Sequence, residues 1–313
     1  MAGAEVKRRG KLEPGSISDL VEKFRQSPRF RAWADPTKAK NDKVLAEFAA
    51  LNGKIPVAQL RRGNVLEMRD SLSATPGAAN NWMKVIRALL QYGVDLEMVR
   101  ENVAAKIGKL PPAQPDGFRA WREDEIEAFL AHYRSDTLPH RALVLMLYTG
   151  AAASDVVLLG PGSVRGGRIF YRRNKTGVRV DLAILPPLAA ALRWSTGMTF
   201  LETDAGLVRS SQGLGNSVRA WAAKAGLGGK DEHGHYLAPH GLRKAMGRRL
   251  AEAGCTPHEI MSCLGHEDIK QAMTYSKHYD RARAADSATG KLEKMGAPDP
   301  VVFRMNRRKD SKA

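Results

Sequence analysis

Pro111, Pro112 and Pro115 stand close together in the middle of the chain, and neither a helix nor a central strand runs through such a cluster. It divides the sequence into two halves that read differently. Upstream, the apolar residues recur at helical spacing. Ser16-Ile-Ser18-Asp19 offers N-caps before Leu20, Val21 and Phe24, and Asp35-Pro36-Thr37 opens a second helix. A third helix is expected over about Arg61–Leu72. In Gly77–Tyr92, Trp82, Val85, Ile86, Leu89 and Leu90 mark one face of a fourth. Downstream, helical segments (Glu123–His132, Arg141–Tyr148, Pro186–Trp194, Ser211–Ala225, Gly241–Ala253, Pro257–Leu264) enclose two strand-like runs, Arg168–Tyr171 and Val178–Leu185. The expected organisation is a basic arm (1–15), a helical domain (16–105), a linker (106–119), a mainly α second domain with a small β-sheet (120–290) and a basic tail (291–313).

Each half is long enough to bury its own core. The charge narrows the partners: 50 Lys and Arg against 33 Asp and Glu leave a formal net charge of +17, which favours a polyanion. The longest apolar runs, such as Ala142–Tyr148, suit a core and fall short of the roughly 20 residues that span a bilayer. No apolar signal region follows the basic N-terminus. Cys255 and Cys263 fit no zinc spacing or disulfide framework and read as small core residues in one helical region. A reducing cytoplasm is expected, with no membrane partner.

The second half carries Ala238-Pro-His240-Gly-Leu-Arg243-Lys244, then Leu264-Gly-His266, then Tyr275. Three residues apart at a helix start, His240 and Arg243 share a face. Taken singly, each element has an ordinary explanation: an exposed basic helix start, a glycine C-cap, a packed tyrosine. Together they make up a phosphoryl-transfer set: a nucleophilic hydroxyl, cations for the non-bridging oxygens, and proton carriers.

The ordered set H-x-x-R, L-G-H and a tyrosine nine residues beyond that histidine resembles the tyrosine recombinases of the phage integrase type (lambda-integrase-like, Xer-like). Leu147-Tyr-Thr-Gly150 with Asp155-Val-Val-Leu-Leu159 resembles the first box of that family. Asn174-Lys175-Thr176-Gly177, between the two strands, resembles its lysine-bearing hairpin. The likeness spans about residues 120–290, and the helical half is similar to the family's core-DNA-binding domain. It implies a helical core-binding domain followed by an α+β catalytic domain. Tyr275 would attack a DNA phosphodiester to give a 3′-phosphotyrosyl link, and Arg243 would clamp the phosphate. Lys175 would protonate the leaving 5′-oxygen, with His240 and His266 serving phosphate and proton, and Asp155 in support. It implies no cofactor and no metal. The partners implied are a double-stranded recombination site, a homotetramer on DNA, and accessory DNA-bending or directionality factors. Tyr279 is the alternative nucleophile. Expected DNA contacts are Lys84, Arg87, Arg172, Arg173 and Lys244, with Lys38, Lys40, Arg61 and Arg62 as further candidates.

The chain departs from the family at one place. The first-box arginine, two residues after the glycine, is here Ala152, and no arginine occurs between Arg141 and Arg165. Three outcomes fit that gap: Arg172 or Arg173 beside Lys175 fills the place, the recombinase is slow, or the protein binds DNA without recombining it. Alternatives to a site-specific recombinase are therefore a catalytically impaired accessory or regulatory DNA-binding protein, and a type IB topoisomerase-like activity.

Overall fold

A computed structural model describes residues 12–112, 117–195, 197–231, 234–276 and 281–294. The chain divides into two compact units, Met1–Pro115 and Asp116–Ala313.

The first unit is helical: α1 (Ile17–Gln26), α2 (Pro28–Arg31), α3 (Asp35–Asn52), α4 (Arg62–Asp70) and α5 (Pro76–Asp95). The serines at the first two helix starts act as caps, Ser16 accepting from the Asp19 amide and Ser27 from the Phe30 amide. The apolar face of α5 buries Trp82, Met83, Val85, Ile86, Leu89 and Leu90 against α1, α3 and α4. Phe24 lies at the centre, its ring meeting Phe30, Trp33 and Tyr92 at 5.5–6.0 Å.

The stretch after Ala104, expected to begin a linker at 106, packs on this unit instead. Ile107 is buried in the core, and Leu110 exchanges two backbone bonds with the Asn80 side chain. Arg87 holds the stretch down by donating Nε to the Ala104 carbonyl and Nη2 to that of Ile107. Two of its donors are thus engaged within the protein, so Arg87 acts as a brace for this stretch. Lys84, on the same helix, is exposed.

The second unit is built on α7 (Leu138–Thr149), whose residues Ala142–Leu147 are buried in succession. A helix apolar all round is one enclosed by others. Here α6 (Glu123–His132), α9 (Pro186–Leu192), α10 (Ser211–Ala222) and α11 (Pro239–Glu252) contribute to the same core. The short α8 (Ala153–Val156) leads towards an antiparallel sheet, β1 (Val164–Arg165), β2 (Arg168–Arg172) and β3 (Arg179–Ala183), in the order β1-β2-β3. Strand alternation buries Ile169 and Val180. The two-residue β1 was not expected from sequence, since so short a strand has no periodicity. A separate small cluster, Ala251, Ile260, Leu264 and Ala272, joins α11 to α12 (Pro257–Leu264) and α13 (Ile269–Ser276); α14 (Arg281–Lys294) follows. Cys255 lies before α12 and Cys263 within it, both half-buried and free. No helix among the described residues is long and apolar enough to cross a membrane.

Candidate active site

The start of α11 is fixed first. Trp121, fully buried, donates Nε1 to the Ala238 carbonyl at 3.0 Å, and its amide bonds the Gly241 carbonyl. A Cβ on Gly241 would lie 2.5 Å from the Arg119 carbonyl oxygen, so only glycine permits this approach. With Pro239 at the first helical turn, His240 emerges exposed beside Phe118, and Arg243 one turn on points inward.

Arg243 is 3% exposed and links two helix ends. Nη1 donates to the Gly150 carbonyl at 2.5 Å and Nη2 to the Leu264 carbonyl at 2.7 Å. Gly150 caps α7 and Gly265 caps α12, both in the left-handed region (φ 58° and 61°). The glycines of the Thr-Gly and Leu-Gly-His motifs thus present terminal carbonyls, orphaned by helix geometry, to arginine side chains.

Arg173, just after β2, is the second buried guanidinium. It reaches the Gly265 carbonyl through Nη1 at 2.9 Å and Asp155 Oδ2 through Nε at 3.4 Å. A Cβ on Gly265 would fall 2.8 Å from Arg173 Cδ, so that glycine also makes room for the arginine. Asp155, 3% exposed, accepts the Asn174 amide as well, tying the hairpin tip to α8. Arg172 points the other way, exposed, with Nη1 on the Gly177 carbonyl. Lys175 is exposed on the tip, while Lys244 is half-buried. Ala152 caps α8 and has no polar side chain to offer.

His266 is buried against this group with Nδ1 unbonded. Burial, then the charges of Arg243 and Arg173, push its pKa down to about 4. Partial desolvation and the same neighbours also lower His240. Both rings are therefore neutral at pH 7. The Tyr275 ring lies parallel to His266, centroids 6.2 Å apart. Burial raises its phenol while Arg243 opposes the rise. Tyr279 lies outside the described residues, as do the arm up to residue 11 and the tail from residue 295.

Two residues at this site carry no motif signal. Gly247 lies one turn beyond Arg243, and a Cβ there would come within 2.5–2.7 Å of three Tyr275 ring atoms, so its bare surface is the slot for that ring. Its spacing of four from Arg243 was the available clue. Tyr171 on β2 has a buried hydroxyl without a partner, its pKa pushed up to about 12 by burial. Alternation along β2 was the signal for its face. The expected residues Asp155, Arg173, Arg243, His266 and Tyr275 therefore share one neighbourhood, with His240 and Lys175 at its exposed edge. No metal-binding group of His, Cys, Asp or Glu side chains occurs among the described residues.

A profile described as "Phage integrase family" matches residues 119–282. No curated protein matches the chain by sequence. Among solved structures the fold is similar to a lambda integrase fragment, a dimer bound to a COC′ core site. The TM-score is 0.72 at 15% identity, over 85% of this chain and 97% of that one. It is also similar to a lambda integrase tetramer bound to a Holliday junction, with TM-score 0.72 at 14% identity over 85% and 79% of the two chains. A Tn1549 transposon integrase in complex with a circular intermediate DNA gives TM-score 0.71 at 16% identity, covering 89% of this chain and 99% of that one.

Proposed function

The chain belongs to the phage integrase family, and from that premise we propose that it is a site-specific DNA recombinase working through a 3′-phosphotyrosyl intermediate. The observation that carries the reading is the convergence of one tyrosine, two neutral histidines and buried guanidinium groups at a single locus. Tyr275 Oη attacks the scissile phosphorus, the phenol proton passing to a neutral imidazole of the site. The bond to the 5′-oxygen breaks, and Lys175 supplies that oxygen's proton. Arg243, held by two carbonyls with donors to spare, stabilises charge growing on the non-bridging oxygens. A 5′-hydroxyl from another strand then attacks the phosphotyrosine and restores both the phosphodiester and the phenol.

The substrate is double-stranded DNA, met by a surface with a net charge of +17. A homotetramer on paired sites is the expected assembly, supported by the lambda integrase tetramer on a Holliday junction. Lys84, Arg172 and Lys244 are the proposed phosphate contacts, and accessory bending or directionality factors would set the reaction's direction. Ala152 favours one second reading, a DNA-binding accessory protein on this fold. The deciding experiment incubates the protein with a nicked suicide-duplex library of randomised core sequence, then sequences DNA trapped covalently. Wild type forms an adduct and Tyr275→Phe does not, whereas Tyr279→Phe does. Absence of an adduct from the wild type, with DNA still bound, would establish the accessory reading. Relaxation of supercoiled plasmid without strand exchange would point to the topoisomerase-like alternative.

A further inference from the structure

Four long or polar side chains stand together at the tip of the β2–β3 hairpin: Arg172, Arg173, Asn174 and Lys175. Arg172, Asn174 and Lys175 are exposed, while Arg173 alone turns inward to 9% exposure. Its direction is set by backbone bonds across the tip, from its amide to the Val178 carbonyl and from the Gly177 amide to its own carbonyl. Its guanidinium and that of Arg243 hold consecutive carbonyls, Gly265 and Leu264. Gly265, lacking a Cβ, leaves the space that Arg173 Cδ occupies.

The charges at this locus do not balance. Among the described residues, Asp155 is the one carboxylate bonded to either buried guanidinium, through a 3.4 Å contact at Nε. Two buried cations against one anion are costly unless further negative charge approaches them. Two more polar atoms, the Tyr171 hydroxyl and His266 Nδ1, are buried here without partners. That set is complementary to a small oxyanion with several acceptor atoms.

We propose that Arg173 is the second guanidinium of the phosphate site, reaching the non-bridging oxygens from the hairpin side where Ala152 on α8 offers none. The proposal rests on the recombinase reading for the identity of the anion as a DNA phosphate. Asp155 then has the task of aiming Arg173, and the Gly265 carbonyl fixes its depth.

The test compares covalent adduct formation on two versions of the trapped site, one with the natural scissile phosphate and one with a neutral methylphosphonate there. A group that neutralises phosphate charge matters less when that charge is absent. Arg173→Ala should slow cleavage of the phosphate by about 10²–10³ but cost less than roughly tenfold on the methylphosphonate. Arg173→Lys, which keeps the charge without the fork, should fall between. The double change Ala152→Arg with Arg173→Ala should recover much of the loss. Equal losses on both substrates, or a wild-type rate in Arg173→Lys and Arg173→Ala alike, would overturn the assignment. If the wild type forms no adduct on any DNA, the recombinase reading fails, and Arg173 is judged separately with inorganic vanadate. Vanadate should then raise the Tm of wild type but not of Arg173→Lys, and equal rises would remove Arg173 from the anion site.

Discussion

Gly247→Ala adds one methyl group at the point where α11 receives the tyrosine. The new Cβ would lie 2.5 Å from Tyr275 Cε1 and 2.7 Å from both Cδ1 and Cζ. Carbon atoms in contact prefer about 3.5–4.0 Å, so the ring has to retreat by about 1 Å. The ring is flanked by His266 and belongs to the small cluster holding α13, so the displacement carries the phenol oxygen with it. A 1 Å misplacement of a reacting group costs about 10² in rate. Local helix energetics run the other way: alanine in a helix interior is favoured over glycine by about 1 kcal/mol, which offsets part of the clash. The expectation is therefore a folded protein with wild-type DNA affinity whose adduct forms about a hundredfold more slowly. Gel quantification of trapped adduct, next to urea unfolding and a binding titration, measures all three. Wild-type cleavage by Gly247→Ala would refute the slot, because it would mean the working phenol position does not depend on the bare surface of α11.

Other outcomes follow from contacts described above. The neutral state of His266 is favoured by folding, because its folded pKa of about 4 lies below the unfolded value of roughly 6.5. That contribution, about 3 kcal/mol, is present above pH 6.5 and disappears as pH falls towards 4; in His266→Gln the slope of stability over that window should flatten. Asp155→Ala leaves Arg173 without its carboxylate and should destabilise the second unit by about 3–5 kcal/mol in urea, and stability within 1 kcal/mol of wild type would count against the pairing. Arg87→Ala should lower stability by about 1–3 kcal/mol, as loss of bonds to two carbonyls implies, with little change in the salt dependence of DNA binding. Lys84→Ala should do the opposite, reducing the salt slope by about one at constant stability.

The positions of the helices were legible because their signals are local. The cap at Ser16 and the face of α5 follow from spacing alone, and Pro257–Leu264 runs between its Thr256 cap and Gly265. The site was legible as a list of residues, through the ordered motifs, but not as an arrangement. Nothing in Arg172-Arg173 says which of two adjacent arginines turns inward. That depends on strand register and on space provided by Gly265, 92 residues away. Arg87 illustrates the same limit from the other side. On a helical wheel it borders the apolar stripe and looks like a surface cation, yet its partners are carbonyls in a segment whose prolines suggested a free connection. Gly247 was invisible because a missing side chain announces itself only when the neighbour it admits is known.

The small cluster beneath Tyr275 has an energetic consequence. The α12–α13 pair is fastened to α11 by four buried apolar residues, Ala251, Ile260, Leu264 and Ala272, whereas the core around α7 is several times larger. Free energies of local opening scale with the apolar contacts that opening breaks. The α13 segment that carries Tyr275 supplies one of those four, Ala272, and is thus the cheapest part of this unit to detach, while the Arg243 and Arg173 bonds to the Leu264 and Gly265 carbonyls keep the end of α12 with the cations. Amides of α12 and α13 should exchange with solvent well before those of α7. The charge framework thus includes the end of α12, while the Tyr275 phenol sits on the more loosely held α13; under the proposed mechanism the attacking group could be presented or withdrawn without unfolding the cations that await it.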